Sequence, residues 1–201
     1  MNLLKQDKTV DYYDRDAEKW SRAHGGFEEK SYWEEEMEYF RKLLPNGKII
    51  EIGSGAGKDA SALIKMGYEY TGTDASSGLI VVAQRRNPEA TFINVAVHNL
   101  QFPEKLFDGF WTAATLLHIP KSNINSALMS INKIVKPGGI GFISIKEGDG
   151  GKEDVNTGRW FAYYRQQEFR KKLILNGFSV IKEQKRLGEK DTWLVYFIKK
   201  T

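Results

Sequence analysis

The run Glu51-Ile52-Gly53-Ser54-Gly55-Ala56-Gly57 is the stretch of this 201-residue chain best suited to receive a ligand. It follows the β-branched run Lys48-Ile49-Ile50-Glu51-Ile52 and precedes a helical stretch. Glycine belongs where backbone bends sharply and where ligand atoms come within contact distance. Amides at the start of a helix can hold a carboxylate or phosphate. Asp74 lies 21 residues after Gly53 and ends the next strand-like run. A carboxylate there can accept hydrogen bonds from both hydroxyls of a ribose. The glycines also read as turn chemistry, and Asp74 as a helix cap beside Ser76.

Spacing narrows the nucleoside. The glycines fall as G-x-G-x-G at 53, 55 and 57, and Lys58 stands where a dinucleotide loop of G-x-G-x-x-G spacing has its third glycine. No G-x-x-x-x-G-K-[ST] occurs, which excludes a P-loop. The chain has no Cys, so thiolate nucleophiles, disulfides and Cys-based zinc sites are excluded too. His24, His98 and His118 are scattered without paired spacing and give no metal site. Of the three, His118 follows a strand-like run by a few residues, and because a free imidazole titrates near neutrality it is the candidate base. It also reads as a cap, or as packing under Pro120.

Stepping outward, 41% apolar and 28% charged residues describe an ordinary globular chain of one domain. No apolar run is long enough to span a bilayer. The opening MNLLKQDKTVDYYD turns polar too soon for a secretory signal, so a cytoplasmic setting is expected. Residues 151–201 hold 12 Lys/Arg against 6 Asp/Glu, and residues 1–150 hold 18 against 20. That excess is solvated surface, or a lean toward an anionic ligand or nucleic acid. Short β-branched runs alternate with helical stretches, as in an α/β sheet. Tyr32, Trp33, Met37, Phe40 and Leu44 recur at helical spacing; a second helix runs through Ala60–Met66, and Ser76 caps a third over Leu79–Arg86. Strands are expected at Lys48–Ile52, Tyr68–Thr73, Thr91–Val95, Gly109–Ala114 and Ile140–Ile145. Ile124, Leu128, Ile131 and Val135 form one helical face that Pro137-Gly138-Gly139 ends. Gly148–Gly158 reads as a long polar loop, followed by a helix from about Trp160 to Asn176. Two final strands, Phe178–Lys185 and Trp193–Ile198, share a short turn near Gly188 and must be antiparallel.

These motifs resemble the class I S-adenosylmethionine-dependent methyltransferases. Besides E-I-G-S-G-A-G and Asp74, the pieces in order are Phe107-Asp108-Gly109-Phe110-Trp111, Leu116-Leu117-His118-Ile119-Pro120 and Lys136-Pro137-Gly138-Gly139. The resemblance implies a Rossmann-like three-layer α/β sandwich with a mostly parallel seven-stranded sheet, order 3-2-1-4-5-7-6, strand 7 antiparallel. It implies one domain: a helical cap over 1–45, a cofactor-binding core over 46–145, and an acceptor-side loop, helix and closing strand pair over 146–201. S-adenosyl-L-methionine is the implied cofactor. Gly53, Ser54, Gly55 and Gly57 line its methionine and ribose side, Glu51 orders the loop or a water, and Asp74 with Ala75 takes the ribose. Ala113 lies at the end of strand four. Tyr13, in Tyr12-Tyr13-Asp14, and Trp20 belong to a cap that closes over the cofactor. The family often has an acid after strand three for the adenine amine; here that position is Ala96, so adenine falls to the backbone of Ala96 and Val97, or to His98 or Asn99.

The cofactor brings the activated methyl group, so the protein mainly aligns and excludes water. His118 is the implied base and acceptor contact. Lys146, Glu147, Arg159 and Tyr163 flank the loop over the acceptor pocket, where Arg159 can pair with a carboxylate or phosphate. No Asn/Asp-Pro-Pro-Tyr/Phe tetrapeptide or RNA-binding appendage is recognised. The reading is a methyltransferase acting on an O or N of a small, anionic molecule, with neither nucleic acid nor membrane as partner. Its alternatives are an RNA methyltransferase, an NAD(P)-dependent oxidoreductase and a non-catalytic cofactor-binding protein.

Overall fold

The structure is a computed structural model that describes residues 3–24 and 31–201; residues 1–2 and 25–30 of the N-terminal cap lie outside the described residues. Three helices come first, α1 (Leu3–Arg15), α2 (Ala17–Ala23) and α3 (Glu34–Leu43). Then β1 (Lys48–Ile52), α4 (Lys58–Lys65), β2 (Glu69–Asp74), α5 (Ser77–Arg86), β3 (Thr91–Asn94), β4 (Phe107–Ala113), α6 (Ile124–Ile134) and β5 (Val135–Lys146) alternate. The chain closes with β6 (Gly151–Glu153), β7 (Trp160–Ala162), α7 (Gln166–Leu175), β8 (Phe178–Leu187) and β9 (Thr192–Lys200).

Seven strands form one sheet in the order β3-β2-β1-β4-β5-β9-β8, and β6 pairs with β7 apart from it. Because β6 and β7 intervene, β8 and β9 are the sixth and seventh strands of the expected path. Strand β9 runs antiparallel to both β5 and β8, and the other main-sheet pairings are parallel. The central strand is apolar on both faces, as a parallel strand covered by helices must be. Alternation assigns the faces: Ile50, Phe110, Ile143 and Tyr196 pack with Leu128, Ile131, Phe169 and Leu173 of α6 and α7. Ile49, Trp111, Phe142 and Phe197 pack with Met37, Phe40 and Leu63 of α3 and α4. The result is a three-layer sandwich whose parallel strand ends converge at the glycine loop.

Two expectations are corrected. The stretch after β5 is not an open loop but the β6–β7 hairpin, with Trp160, Phe161 and Ala162 opposite Glu153, Lys152 and Gly151. Asp154 closes its turn by accepting from the amides of Asn156 (3.1 Å) and Thr157 (2.9 Å). The helix expected from Trp160 therefore starts only at Gln166, where the Arg165 amide donates to the Glu168 carboxylate at 3.3 Å. Helix α6 ends at Ile134, and Val135 already pairs with Phe107, so β5 begins five residues before Ile140. Asp108 holds that junction, taking the Lys136 ammonium at 2.6 Å and the Lys48 amide at 2.8 Å.

Among the described residues, no helix is long and apolar enough to cross a membrane. The rings of Trp111 and Phe142 stack at 3.7 Å in the middle of the second core face, both fully buried. Phe142→Ala is expected to cost about 3–5 kcal/mol, the range for emptying a buried aromatic site. Urea denaturation checks it, with the midpoint falling and the slope unchanged.

Candidate cofactor and acceptor site

Strand β1 delivers the chain into the glycine loop at the sheet's C-terminal edge. Gly53, at φ 75°, donates its amide to the Thr73 carbonyl (2.7 Å), and a Cβ on it would lie 2.1 Å from the Thr115 hydroxyl. No other residue type fits there. Gly55 is also left-handed, but an added Cβ would meet only the Trp20 ring at 3.6 Å. Its backbone therefore faces open space beneath that ring. Gly57 is turned away, toward Asn87, whose side chain donates to the Gly57 carbonyl at 3.0 Å.

Asp74 ends β2 and ties two loops together. One carboxylate oxygen accepts from the Gly55 amide (2.9 Å) and the other from the Ser76 amide (2.8 Å). Burial pushes its carboxyl up to about 6, against the pull of those amides. Ser76 is the cap of α5, accepting from the Leu79 amide at 3.1 Å. A cleft of about 160 Å³ opens between these elements. Asp74 and Ala75 form one wall, Ala113 and His118 the opposite one, and Tyr13 and Trp20 the roof.

His118 ends a short 3-10 turn after β4. Its Nδ1 lies 2.7 Å from the Trp160 carbonyl, which can only accept, so Nδ1 carries the proton. Nε2 is then the free acceptor, and the Tyr13 hydroxyl donates to it at 3.0 Å. Arg159 in turn donates to the Tyr13 oxygen at 3.1 Å. Burial, with Arg159 and Lys146 nearby, pushes His118 down to about 4, so its ring is neutral at pH 7. The Arg159 guanidinium lies over the rings of Tyr12 (4.7 Å), Phe161 (5.2 Å) and Tyr13 (5.5 Å). No carboxylate of the described residues pairs with it.

Tyr13, Trp20, Gly53, Gly55, Asp74, Ala75, Val97, Ala113 and His118 thus line one cleft. Glu51, Ser54, Gly57 and Ala96 do not. Glu51 faces the opposite side of β1, where the Tyr70 hydroxyl donates to it and where burial and the neighbouring Asp59 raise its carboxyl well above the ordinary range. Ala96 starts the 3-10 turn that presents Val97. On the acceptor side, Lys146 is paired with Asp191 (2.7 Å) and Glu147 with Lys185 (2.6 Å), while Lys152 lies over the Tyr163 ring. Arg159 reaches the cleft through Tyr13.

A family profile described as a methyltransferase domain matches residues 49–139, from β1 to the start of β5. Over those residues the chain is similar to a methyltransferase domain, in line with the class I S-adenosylmethionine-dependent family that its motifs resemble. An uncharacterized methyltransferase of Synechocystis is 28% identical over 98 residues, 49% of this chain and 46% of that protein. A phosphoethanolamine N-methyltransferase of Plasmodium falciparum is 29% identical over 102 residues, 49% of this chain and 38% of its own length. The chain therefore spans less than half of these curated relatives. A Burkholderia thailandensis 1,6-didemethyltoxoflavin N1-methyltransferase, solved with its acceptor and S-adenosylhomocysteine, superposes with a TM-score of 0.77 over 98% of this chain and 87% of its own, at 21% identity. That likeness is one of fold.

The cleft suits a nucleoside. Gly55 exposes backbone, and the Asp74 carboxylate keeps lone-pair capacity beyond the amides it accepts from. Leu79, Val95 and Val97 offer apolar surface for a base. Thr9, Val10, Ile52, Ser76, Ala114, Thr115 and Ile119 also line the cleft, and sequence reasoning missed them. The signal for Ile52 was present: alternation along β1 sends Ile50 and Ile52 to one face and Glu51 to the other. Among the described residues, no group of three or more His, Asp or Glu could hold a metal.

The His118 shift has a sign that can be tested. The unfolded chain protonates at the ordinary 6.5 and the folded one at about 4, so between them the unfolded state binds more protons and stability falls as pH drops. Asp74 acts oppositely, gaining stability as it protonates below about 6. The difference between variant and wild type isolates His118: His118→Gln is expected to lose stability less steeply from pH 6.5 to 4, read by urea denaturation across that range.

Proposed function

We propose that the protein uses S-adenosylmethionine to methylate a nitrogen or oxygen atom of a small molecule bearing a carboxylate or phosphate. The Asp74 carboxylate carries the cofactor half of this reading: it lines the cleft, and beyond the loop amides it accepts from it keeps lone-pair capacity for a ribose hydroxyl. Gly53 and Gly55 let the cofactor approach the backbone, and Ala75 extends the ribose wall. Tyr13 and Trp20 cover it. With Ala96 in place of an acid, adenine rests on Leu79, Val95 and Val97 and on the backbone of the 96–97 turn. Glu51, Ser54 and Gly57 support the loop from behind.

The bound cofactor supplies an electrophilic methyl group, which leaves the chain to orient the acceptor, exclude water and handle one proton. Tyr13 and His118 stand at the cleft wall in hydrogen-bond contact. An acceptor N–H or O–H that displaces the Tyr13 hydroxyl finds the His118 Nε2 lone pair, held in place by the bond from Nδ1 to Trp160. Arg159 and Lys146 disfavour an imidazolium there. His118 therefore orients the acceptor through a hydrogen bond, takes its proton on Nε2 as the N–H or O–H bond breaks, and gives that proton to water when the product leaves.

Arg159 supports the anionic half. It is held over three aromatic rings with no carboxylate partner among the described residues, and a planar guanidinium so placed matches a carboxylate or phosphate. Lys146 and Glu147 are already paired within the fold and serve to set β5 against β8 and β9. Two relatives are named for N-methylation, and one of those acceptors by its name carries a phosphate, which favours nitrogen.

Two measurements test the halves separately. Asp74→Ala is expected to weaken S-adenosylhomocysteine binding by about 1–3 kcal/mol, the range for charge-assisted hydrogen bonds. Unchanged calorimetric affinity removes Asp74 from the ribose. In a methyl-transfer assay over matched small amines with and without a carboxylate or phosphate, Arg159→Gln is expected to raise KM about tenfold or more for the anionic members alone. Equal losses on neutral and anionic amines contradict the assignment.

A further inference from the structure

Asp14 sits in the last turn of α1 and reaches out of its own helix. One carboxylate oxygen accepts from the Ser76 hydroxyl (2.7 Å), the Gly78 amide (2.8 Å) and the Ser77 hydroxyl (3.2 Å). Helix α5 is thereby capped twice. Ser76 takes the Leu79 amide from within, and Asp14 takes the Gly78 amide from another helix 64 residues away in sequence. A carboxylate at a helix N-terminus also meets the positive end of the helix dipole.

Gly78 reports how closely the two helices approach. It lies in the first turn of α5, in a helix where glycine is a weaker former than alanine. A Cβ on it would stand 2.7 Å from the Asp14 carbonyl oxygen, 3.1 Å from the Asp14 Cα and 3.2 Å from the Ala17 Cβ. Only the absence of a side chain lets the α1–α2 turn sit against α5.

The neighbouring residue points the other way. Tyr13 meets His118 and Arg159, beyond β4, while Asp14 meets Ser76, beyond β2. Ser76 and His118 both line the cleft. A single turn of α1 thus crosses the cleft as a bar, fastened by adjacent side chains to two different loops. The far end has a polar, part-buried fastening through Tyr13; the near end has Asp14.

We propose that Asp14 is a positioning residue: by pinning the last turn of α1 to the start of α5, it sets Tyr13 over the cleft opposite His118. It touches neither reacting atoms nor the nucleoside and acts through Tyr13. Its effect on ligand affinity rests on the cofactor reading of the cleft, whereas its effect on α1 does not.

Amide hydrogen exchange of the ligand-free protein, paired with calorimetric titration by S-adenosylhomocysteine, tests both. Asp14→Ala is expected to speed exchange of α1 amides by about tenfold or more, with β1 and β4 unchanged, and to weaken S-adenosylhomocysteine by a similar factor. Asp14→Asn keeps the accepting oxygen and is expected to stay within about threefold of wild type on both readouts. A merely structural effect would lower protection throughout and would not be rescued this way. Should Asp14→Ala unfold the core, Gly78→Ala decides instead: it improves α5 propensity yet crowds Asp14, so it is expected to loosen α1 alone. If Asp14→Ala in a folded protein, or Gly78→Ala, leaves α1 exchange within about twofold of wild type, or if Asn fails as badly as Ala, the proposal is wrong. A wild type that does not bind S-adenosylhomocysteine defeats the cofactor reading, and the exchange data still decide the role of Asp14.

Discussion

The arrangement around the cleft depends on one carboxylate accepting two backbone hydrogen bonds. Asp74 ends β2, and its oxygens take the amides of Gly55, from the loop after β1, and Ser76, at the head of α5. Those loops leave neighbouring parallel strands. Bridged by Asp74, they form one surface, with glycine backbone on one side and a helix start on the other. The burial that raises its carboxyl shows that holding a charge here is costly, and a ligand offering hydroxyl donors would relieve that cost.

Onto this surface the N-terminal helices are fitted as a roof. Trp20 covers Gly55, and Tyr13 reaches His118. The β6–β7 hairpin grips α1 from the other side, through the Trp160 amide on the Thr9 hydroxyl (2.8 Å) and Lys8 on Glu153 (3.0 Å). Cofactor cleft and acceptor side therefore meet at the same helix. On the proposed reading, the roof carries groups for both a nucleoside and an acceptor.

Much of this was legible in the sequence because it is local. The strands read as β-branched runs because both faces are covered. The glycine loop read from its spacing, and the Ser76 cap from its residue type just before a periodic run. What the sequence hid depends on long-range pairing. Gly151-Lys152-Glu153 has no apolar alternation, and its strand exists because Trp160, Phe161 and Ala162 lie opposite it and α1 lies against it. The same pairing takes Trp160–Ala162 out of the helix to which their apolar character assigned them. Tyr13 and His118 are 105 residues apart, and no spacing rule joins them. Glu51 bonds Tyr70 on the face away from the cleft, a side that the two-residue period of β1 assigns and the motif position does not.

The central claim is that the cleft under Tyr13 and Trp20 is built for the methyl-donor nucleoside. Calorimetric titration of the purified protein with S-adenosylmethionine, S-adenosylhomocysteine and NADH in parallel tests it directly. The account requires saturable one-site binding of the first two in the micromolar range and no heat from NADH. Binding of NADH alone, or of none of the three, would contradict it.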